Sequence, residues 1–389
     1  MKEIFEILKA RAAASHVPYA LATVVRVEGS SYRRPGARML IGMNGRVAGS
    51  VSGGCLEKDV ISKGLEVMIT GLPQVASYDT TDEDDLAFGT SLGCQGRIEL
   101  WIERILPGNA WPLEDFVNRI LHERKPCALA TIYRGHGDGA KLTGHCHDSV
   151  DAALSGVLDP EQAADLTTQM EVILGTKKAR SVAYESPRGG IELLLERIAP
   201  PISLLLFGGG HDVPPLVRLA KEMGHHVTVI DRRAEFADPH RFPGADAVLL
   251  AKPSQVLERI SCHDLCAVVL MNHHYETDRD LLGIFHATPL AYLGMLGPRK
   301  RTIKIVDELA QGGVVFPPGA LEKLHAPAGL DIGSENPEEI ALSILAEMQA
   351  ILGSGRAVHL RDRFSPIHAP DHEAQESPVK PCPALASSF

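Results

Sequence analysis

The sequence predicts an α/β protein: a Rossmann-like, doubly wound parallel sheet in the C-terminal half, preceded by a mixed α+β region that contains an internal duplication. Three observations carry this prediction. The apolar run from Ile202 to Phe207 ends in Gly208-Gly209-Gly210; a helical stretch and a second strand, HVTVID, then close on Asp231, 23 residues after Gly208. Strand, glycine turn, helix, strand is βαβ grammar, and an acid at that distance is placed to address a ribose. PYALATVVR at Pro18–Arg26 returns as PCALATIYR at Pro126–Arg134, and IELWIERILP at Ile98–Pro107 returns as IELLLERIAP at Ile191–Pro200. Finally, 389 residues with 44% apolar and 23% charged content suit a globular chain of two or three domains.

Residues 1–110 form the first copy of the duplicated module. MKEIFEILKARAA sets Ile4, Phe5, Ile7 and Leu8 at helical spacing among charges, which is an amphipathic helix and not a signal peptide. Each copy reads helix, strand, loop, helix, strand, strand, with Glu66–Ile69 and Tyr78 matched by Glu171–Leu174 and Tyr184. Residues 111–200 form the second copy, 108 residues on at its front and 93 at its back, so it is 15 shorter. It lacks GSVSGGCLEKDV around Cys55 and GTSLGCQGR around Cys94. These glycine–cysteine loops are additions to a shared scaffold, and such loops are where function tends to sit.

Residues 201–352 form the Rossmann-like domain, with further strands at DAVLL, CAVVLMN and AYLGML. Its last helix is announced by Asn336-Pro337-Glu338-Glu339: a cap, a proline in the first turn, and a glutamate three residues on. Residues 353–389 make a C-terminal segment, expected to be disordered after about 368 because it is polar and proline-rich.

Composition narrows the function. Lys plus Arg total 39 against 49 Asp plus Glu, a net charge of −10, the wrong sign for a general nucleic-acid or membrane binder. No apolar run approaches the ~18 residues of a spanning helix. Seven cysteines without an export signal point to reduced thiols and a cytoplasmic protein.

Cys55 follows Gly53-Gly54 and opens a strong helix candidate, LEKDVISKGLEVMITG. A thiol in a first helical turn feels the positive helix end, which favours thiolate, and the same N–H groups can hold a phosphate. A small buried residue at a tight turn is the plainer reading, and both stand. Cys94 sits between Gly93 and Gln95-Gly96 just before a strand; these glycines permit close backbone approach to a ligand, or merely a turn. Arg33, Arg34 and Arg38 lie in and around a turn, a local basic cluster suited to an anionic ligand or to a solvated hairpin. The acidic run from Asp79 to Asp85 reads as a solvated loop; His145-Cys146-His147 and the Cys262–Cys266 stretch lack structural-zinc spacing and read as structural. In the glycine turn, Gly208 and Gly210 are followed by Val213 where a third glycine belongs, which weakens ordinary NAD(P) binding. His211, Asp212, Asn272 and His273 should converge at the strand ends, where such sheets form their ligand crevice.

Together these residues resemble the xanthine dehydrogenase accessory family, the XdhC/CoxI type. The resemblance is carried by EGSSYRRPGARML, GSVSGGCLE, YDTTDEDD, LGCQGRIEL, LFGGGHD with VTVIDRR, NHHYETDRD, YLGMLGPRKR, GLDIGSENPEEIALSILAE and LRDRFSPIH, which span nearly the whole chain. It implies a chaperone that binds molybdenum cofactor (molybdopterin or its dinucleotide form), protects it during sulfuration by a cysteine desulfurase and supports its insertion into a molybdenum hydroxylase. It maps the functional loops onto Ser52–Cys55, Gly93–Gly96, Gly208–Asp212 and Asn272–His274; a thiolate at Cys55 could, on its own chemistry, coordinate molybdenum or carry sulfur. The family pattern has a carboxylate where this chain has His274, and a glycine where it has Gln95. A homodimer is left open. The rival reading is an NAD(P)-dependent oxidoreductase using the Rossmann half.

Overall fold

Alternation along the strands of the N-terminal half decides how its layers stack. The computed structural model describes residues 2–29, 31–79, 96–108, 111–176, 178–260, 262 and 265–362. It divides into two compact units, Met1–Pro200 and Pro201–Phe389. In unit 1 the first copy runs α1 (Lys2–Ala13), β1 (Tyr19–Gly29), β2 (Arg38–Gly42), β3 (Gly45–Gly49), α2 (Glu57–Thr70), β4 (Gln74–Asp79) and β5 (Gly96–Ile105). The second runs α3 (Pro112–Glu123), β6 (Cys127–Gly137), β7 (Cys146–His147), α4 (Ala152–Ser155), α5 (Pro160–Thr176), β8 (Arg180–Ser186) and β9 (Gly189–Ile198).

Each copy makes its own antiparallel sheet, ordered β3-β2-β1-β5-β4 and β7-β6-β9-β8. In β1, Ala20, Ala22 and Val24 point to one face, where Leu100 and Ile102 join them against Val60 and Val67 of α2. In β6, Ala128, Ala130 and Ile132 do the same against Leu166, Met170 and Ile173 of α5. The alternate residues, Tyr19, Leu21 and Ile105 in one sheet and Leu129 and Ile198 in the other, share a cluster closed by α1 and α3. The period-2 pattern of the strands therefore yields helix, sheet, sheet, helix. Because each inner sheet face is hidden by the other, the copies are halves of one unit and not domains of their own.

The two copies agree in detail. Both first strands shift register at the same place, between Val24 and Arg26 in β1 and between Ile132 and Arg134 in β6. Tyr78 Oη donates to Asp59 at 2.6 Å and Tyr184 Oη to Asp165 at 2.7 Å, each tying the outer strand to its helix.

Unit 2 is a six-stranded parallel sheet ordered β12-β11-β10-β13-β14-β15. Its elements are β10 (Ser203–Phe207), α6 (Val213–Glu222), β11 (His226–Asp231), β12 (Ala247–Leu250), α7 (Val256–Arg259), β13 (Cys266–Leu270), α8 (Tyr275–Phe285), β14 (Tyr292–Met295), α9 (Arg299–Gln311), β15 (Leu324–His325) and α10 (Pro337–Leu352). Leu204, Leu206, Val227 and Val229 bury one face under α6 and α10. Leu205, Phe207, Val268 and Leu270 bury the other under α8 and α9, so the sheet is doubly wound. The capping box at α10 is present: Asn336 accepts from the Glu339 amide, and Glu339 accepts from the Asn336 amide.

The matched tyrosine links give a stability test. Tyr78→Phe and Tyr184→Phe should each cost about 1.5–3 kcal/mol, the scale of a hydrogen bond to a charged acceptor. Both tryptophans of the chain, Trp101 and Trp111, lie in unit 1, so their fluorescence in a urea titration reads it alone. Burial would push the Asp59 carboxyl up, but bonds from Lys63 and Tyr78 hold it below its ordinary value, and the Tyr184 bond does the same for Asp165. The cost is therefore full above the ordinary aspartate range and lost as pH falls through the depressed values. A cost seen in one copy and absent from the other would break the equivalence.

Candidate functional site

The loop between β3 and α2 is built around Ser52 and Glu57. Glu57 Oε1 accepts from the Ser52 amide at 3.0 Å and Oε2 from the Ser52 hydroxyl. Ser52 Oγ in turn accepts from the amides of Gly54 and Leu56 at 3.1 and 3.2 Å. Helix α2 begins at Glu57 after the cap Leu56. Cys55 thus stands just ahead of the cap and not inside the first turn as expected; its thiol is half-buried. Gly54 has φ +113°, and an added Cβ would point into open space. The helix start already carries Glu57 and Asp59, so its positive end is partly neutralised and is a poor phosphate site by itself.

The neighbouring turn lies over this loop. The Tyr32 ring sits 3.5 Å from where a Gly53 Cβ would be, yet Tyr32 is 68% exposed. The three arginines divide. Arg33 pairs with Glu3 of α1 at 2.6 and 2.7 Å, and Glu3 also accepts from the Ser50 amide at 3.1 Å. Arg34 is exposed, with no side-chain acceptor among the described residues. Arg38 is a correction: it is 2% exposed, and its guanidinium is bound to Glu196 and to the Gly36 carbonyl. A buried guanidinium with a carboxylate partner is structural and is not presented to a ligand. Cys94 and its flanking Gly93 lie outside the described residues, as do Asp82–Asp85.

In unit 2 the glycines answer to neighbouring backbone. Gly208 has φ +115° and an added Cβ would strike the Met271 carbonyl, while one at Gly209 would strike the Phe236 carbonyl. Asp231 is the second correction. Its carboxylate accepts from the Gly209 amide at 2.8 Å and from Arg233 through Nε at 3.0 Å, Nη2 at 2.9 Å and the amide at 2.8 Å. Burial alone would raise this carboxyl; the Arg233 and Gly209 bonds outweigh it and hold it below the usual range. A saturated carboxylate has no lone pair to spare for a ribose hydroxyl. Val213 is fully buried in the core, and Pro214 and Pro215 remove two N–H groups from the first turn of α6.

His273 Nε2 meets Asp212 Oδ2 at 2.8 Å, joining the turn after β10 to the turn after β13. The backbone of His273 is left-handed, φ +54°, a strained state for a non-glycine residue. Asn272 donates to Asp278 at 2.8 Å, and Asp278, 1% exposed, receives Arg301 at 2.6 Å. Asp212, Asn272 and His273 therefore cluster beside Gly208 at the strand ends. His211 is exposed nearby, with no side-chain partner among the described residues. His274 caps α8, accepting from the Thr277 amide. A cavity of about 10 Å³, one water's worth, lies beneath Asp231 and Asn272. Sequence reasoning missed Glu3, Tyr32, Glu57, Arg233, Asp278 and Arg301; only Arg233, two residues past the strand-end acid, left a readable signal.

Comparison with known proteins places these features in context. The XdhC Rossmann domain family matches residues 204–348, and the XdhC and CoxI family matches residues 12–79. The chain is 33% identical over 338 residues to a probable xanthine dehydrogenase subunit of Bacillus subtilis (strain 168), covering 84% of this chain and 91% of that one. It is 23% identical over 331 residues to the molybdenum cofactor insertion chaperone PaoD of Escherichia coli (strain K12), covering 85% and 82%. A crystal structure of a xanthine dehydrogenase from Bacillus halodurans superposes with a TM-score of 0.67 at 27% identity, covering 91% of this chain and 96% of that one.

Val213→Gly restores the glycine fingerprint and separates sequence pattern from site. It should still confer no NAD(P) binding by calorimetry, because Asp231 stays saturated and the prolines stay in place. It should lower stability by about 2–4 kcal/mol through loss of a core side chain and a glycine in a helix. Tight NAD(P) binding by the variant would show that the third glycine alone was limiting.

Proposed function

The chain belongs to the XdhC and CoxI family, and on that premise we propose that it is a molybdenum cofactor chaperone. It takes molybdopterin or its dinucleotide form, protects it while a cysteine desulfurase supplies sulfur, and supports its insertion into a xanthine dehydrogenase-type molybdenum hydroxylase. The coarser part, a role in molybdenum cofactor maturation, rests on the family and on the likeness to PaoD. Among the described residues no helix is long and apolar enough to cross a membrane.

One observation carries the finer part: Tyr32, Arg34, Gly54 and Cys55 stand on a turn and a loop that touch, with open space at Gly54. A planar pterin wants an aromatic face, its phosphate a cation, and a sulfur-rich molybdenum centre accepts a thiolate. Tyr32, Arg34 and Cys55 offer these in turn, and the Ser52–Glu57 bonds hold the loop before any ligand arrives. In unit 2, His211, Asp212, Asn272 and His273 are proposed to orient a polar head group, with Asp278 and Arg301 fixing Asn272.

The test is to purify the chain from a molybdenum-replete host and assay molybdenum and released pterin. The parent should carry both. Cys55→Ser should keep the fold and lose most of the molybdenum, and Tyr32→Ala should weaken pterin retention roughly two- to tenfold. Cys127→Ser is the control: that thiol packs against the core between the sheets, and burial raises its pKa. Cofactor retained in full by Cys55→Ser, with Cys55 resisting alkylation in the folded protein, would overturn this assignment.

A further inference from the structure

The register of the two copies makes Arg38 and Cys146 counterparts. Thr23 of β1 stands opposite Arg38 of β2, and Thr131 of β6 stands opposite Cys146 of β7, both 108 residues on. Glu103 and Glu196 are counterparts as well, opposite Leu21 and Leu129 in β1 and β6. Arg38 of the first copy pairs with Glu196 of the second. The same relation run the other way would pair residue 146 of the second copy with Glu103 of the first. There the chain has a cysteine, and Glu103 has no hydrogen bond or ion pair among the described residues.

We propose that Glu103 and Cys146 are the broken half of a repeated arginine–glutamate pair, and that the seam between the copies is thereby a proton-linked joint. Arg38 of β2 attracts Glu103, and Cys146 of β7 interacts with Glu103, Arg38 and Glu196 of β9, with Glu3 of α1 also acting on Arg38. Arg11 of α1 also pairs with Glu114 of α3. One guanidinium thus serves two carboxyls and is bonded to only one of them.

The electrostatics follow the geometry. Burial pushes the Glu103 carboxyl up to about 8, and the attraction of Arg38 offsets only part of this. Burial likewise pushes the Cys146 thiol up to about 12, with Glu103 adding to the rise. At neutral pH the carboxyl and the thiol are both protonated. The folded state holds the Glu103 proton more tightly than the unfolded chain does. Stability is therefore full below the ordinary value of 4.5 and falls as pH rises through about 8. The effect reaches further than the seam. Arg38 also fixes the Gly36 carbonyl, and Glu3 holds both Arg33 and the Ser50 amide, so the joint underlies the Tyr32–Arg34 turn.

Urea unfolding followed by tryptophan fluorescence between pH 5 and 8.5 tests this on the full chain. In the parent, the unfolding constant should rise with pH by up to tenfold per unit for the one proton involved; partial exposure of Glu103 keeps the slope below that ceiling. Glu103→Gln, which cannot ionise, should flatten the slope in this window. Cys146→Arg should also flatten it, by giving Glu103 the partner that Glu196 has, and should make unit 1 more stable than the parent at pH 8.5. Adding Glu103→Gln to Cys146→Arg should remove that gain. If Glu103→Gln keeps the parent's slope, the proposal fails, and that variant decides the matter even if Cys146→Arg does not fold. The readout is independent of cofactor, so failure here leaves the chaperone reading untouched.

Discussion

Each copy in the N-terminal unit covers one face of its sheet with a helix and leaves the other face bare. Those bare faces carry Tyr19, Leu21, Ile105, Leu129 and Ile198, and nothing but the opposite sheet and the flanking helices hides them. An apolar sheet face left open to water forfeits the burial that would stabilise it and exposes a patch prone to association. Each copy supplies the cover that the other copy's inner face needs. The pairing of the copies also explains why the seam tolerates charge: Arg38 and Glu196 are desolvated together, and either alone would be a buried, uncompensated ion.

The turn after β1 and the loop after β3 hang from this seam. Glu3 is the clearest link, because one carboxylate on α1 holds Arg33, the Ser50 amide and the edge of β2. The turn bearing Tyr32 and Arg34 and the loop bearing Cys55 are thus referred to a common point. The turn and the loop are tied to one carboxylate in this way, while the Tyr32 and Arg34 side chains stand exposed above it. The second copy has no such loops, and its counterpart strand β7 is two residues long.

Much of this architecture is legible in the residues, and the exceptions share a cause. Periodicity gave the strands and helices, and the repeated PYALATVVR and PCALATIYR motifs located equivalent strands down to a shared register shift. Capping chemistry located α10. What periodicity cannot show is which long-range partner a polar residue meets. Arg38 looks in sequence like Arg33 and Arg34, yet its strand position turns it inward, toward a glutamate 158 residues away. Asp231 looks like a ribose-binding acid, yet Arg233 reaches back to close on it. The β15 strand, two residues long, has no pattern to read at all.

The glycine turn of unit 2 shows the same lesson from the opposite side. Three glycines after a strand suggest close approach by a phosphate, and close approach does occur, by the carbonyls of Met271 and Phe236. The fingerprint is satisfied by the protein's own backbone, which draws the turns after β10, β11 and β13 together. Their convergence then brings Asp212 onto His273 and holds His273 in a left-handed conformation that only over-determined surroundings maintain. Asn272 and Arg301, both half-buried, meet on the buried Asp278 behind that pair. A fold that elsewhere lays its glycines against a dinucleotide here packs two of them against its own carbonyls, beside a compact polar cluster of Asp212, Asn272, His273, Asp278 and Arg301.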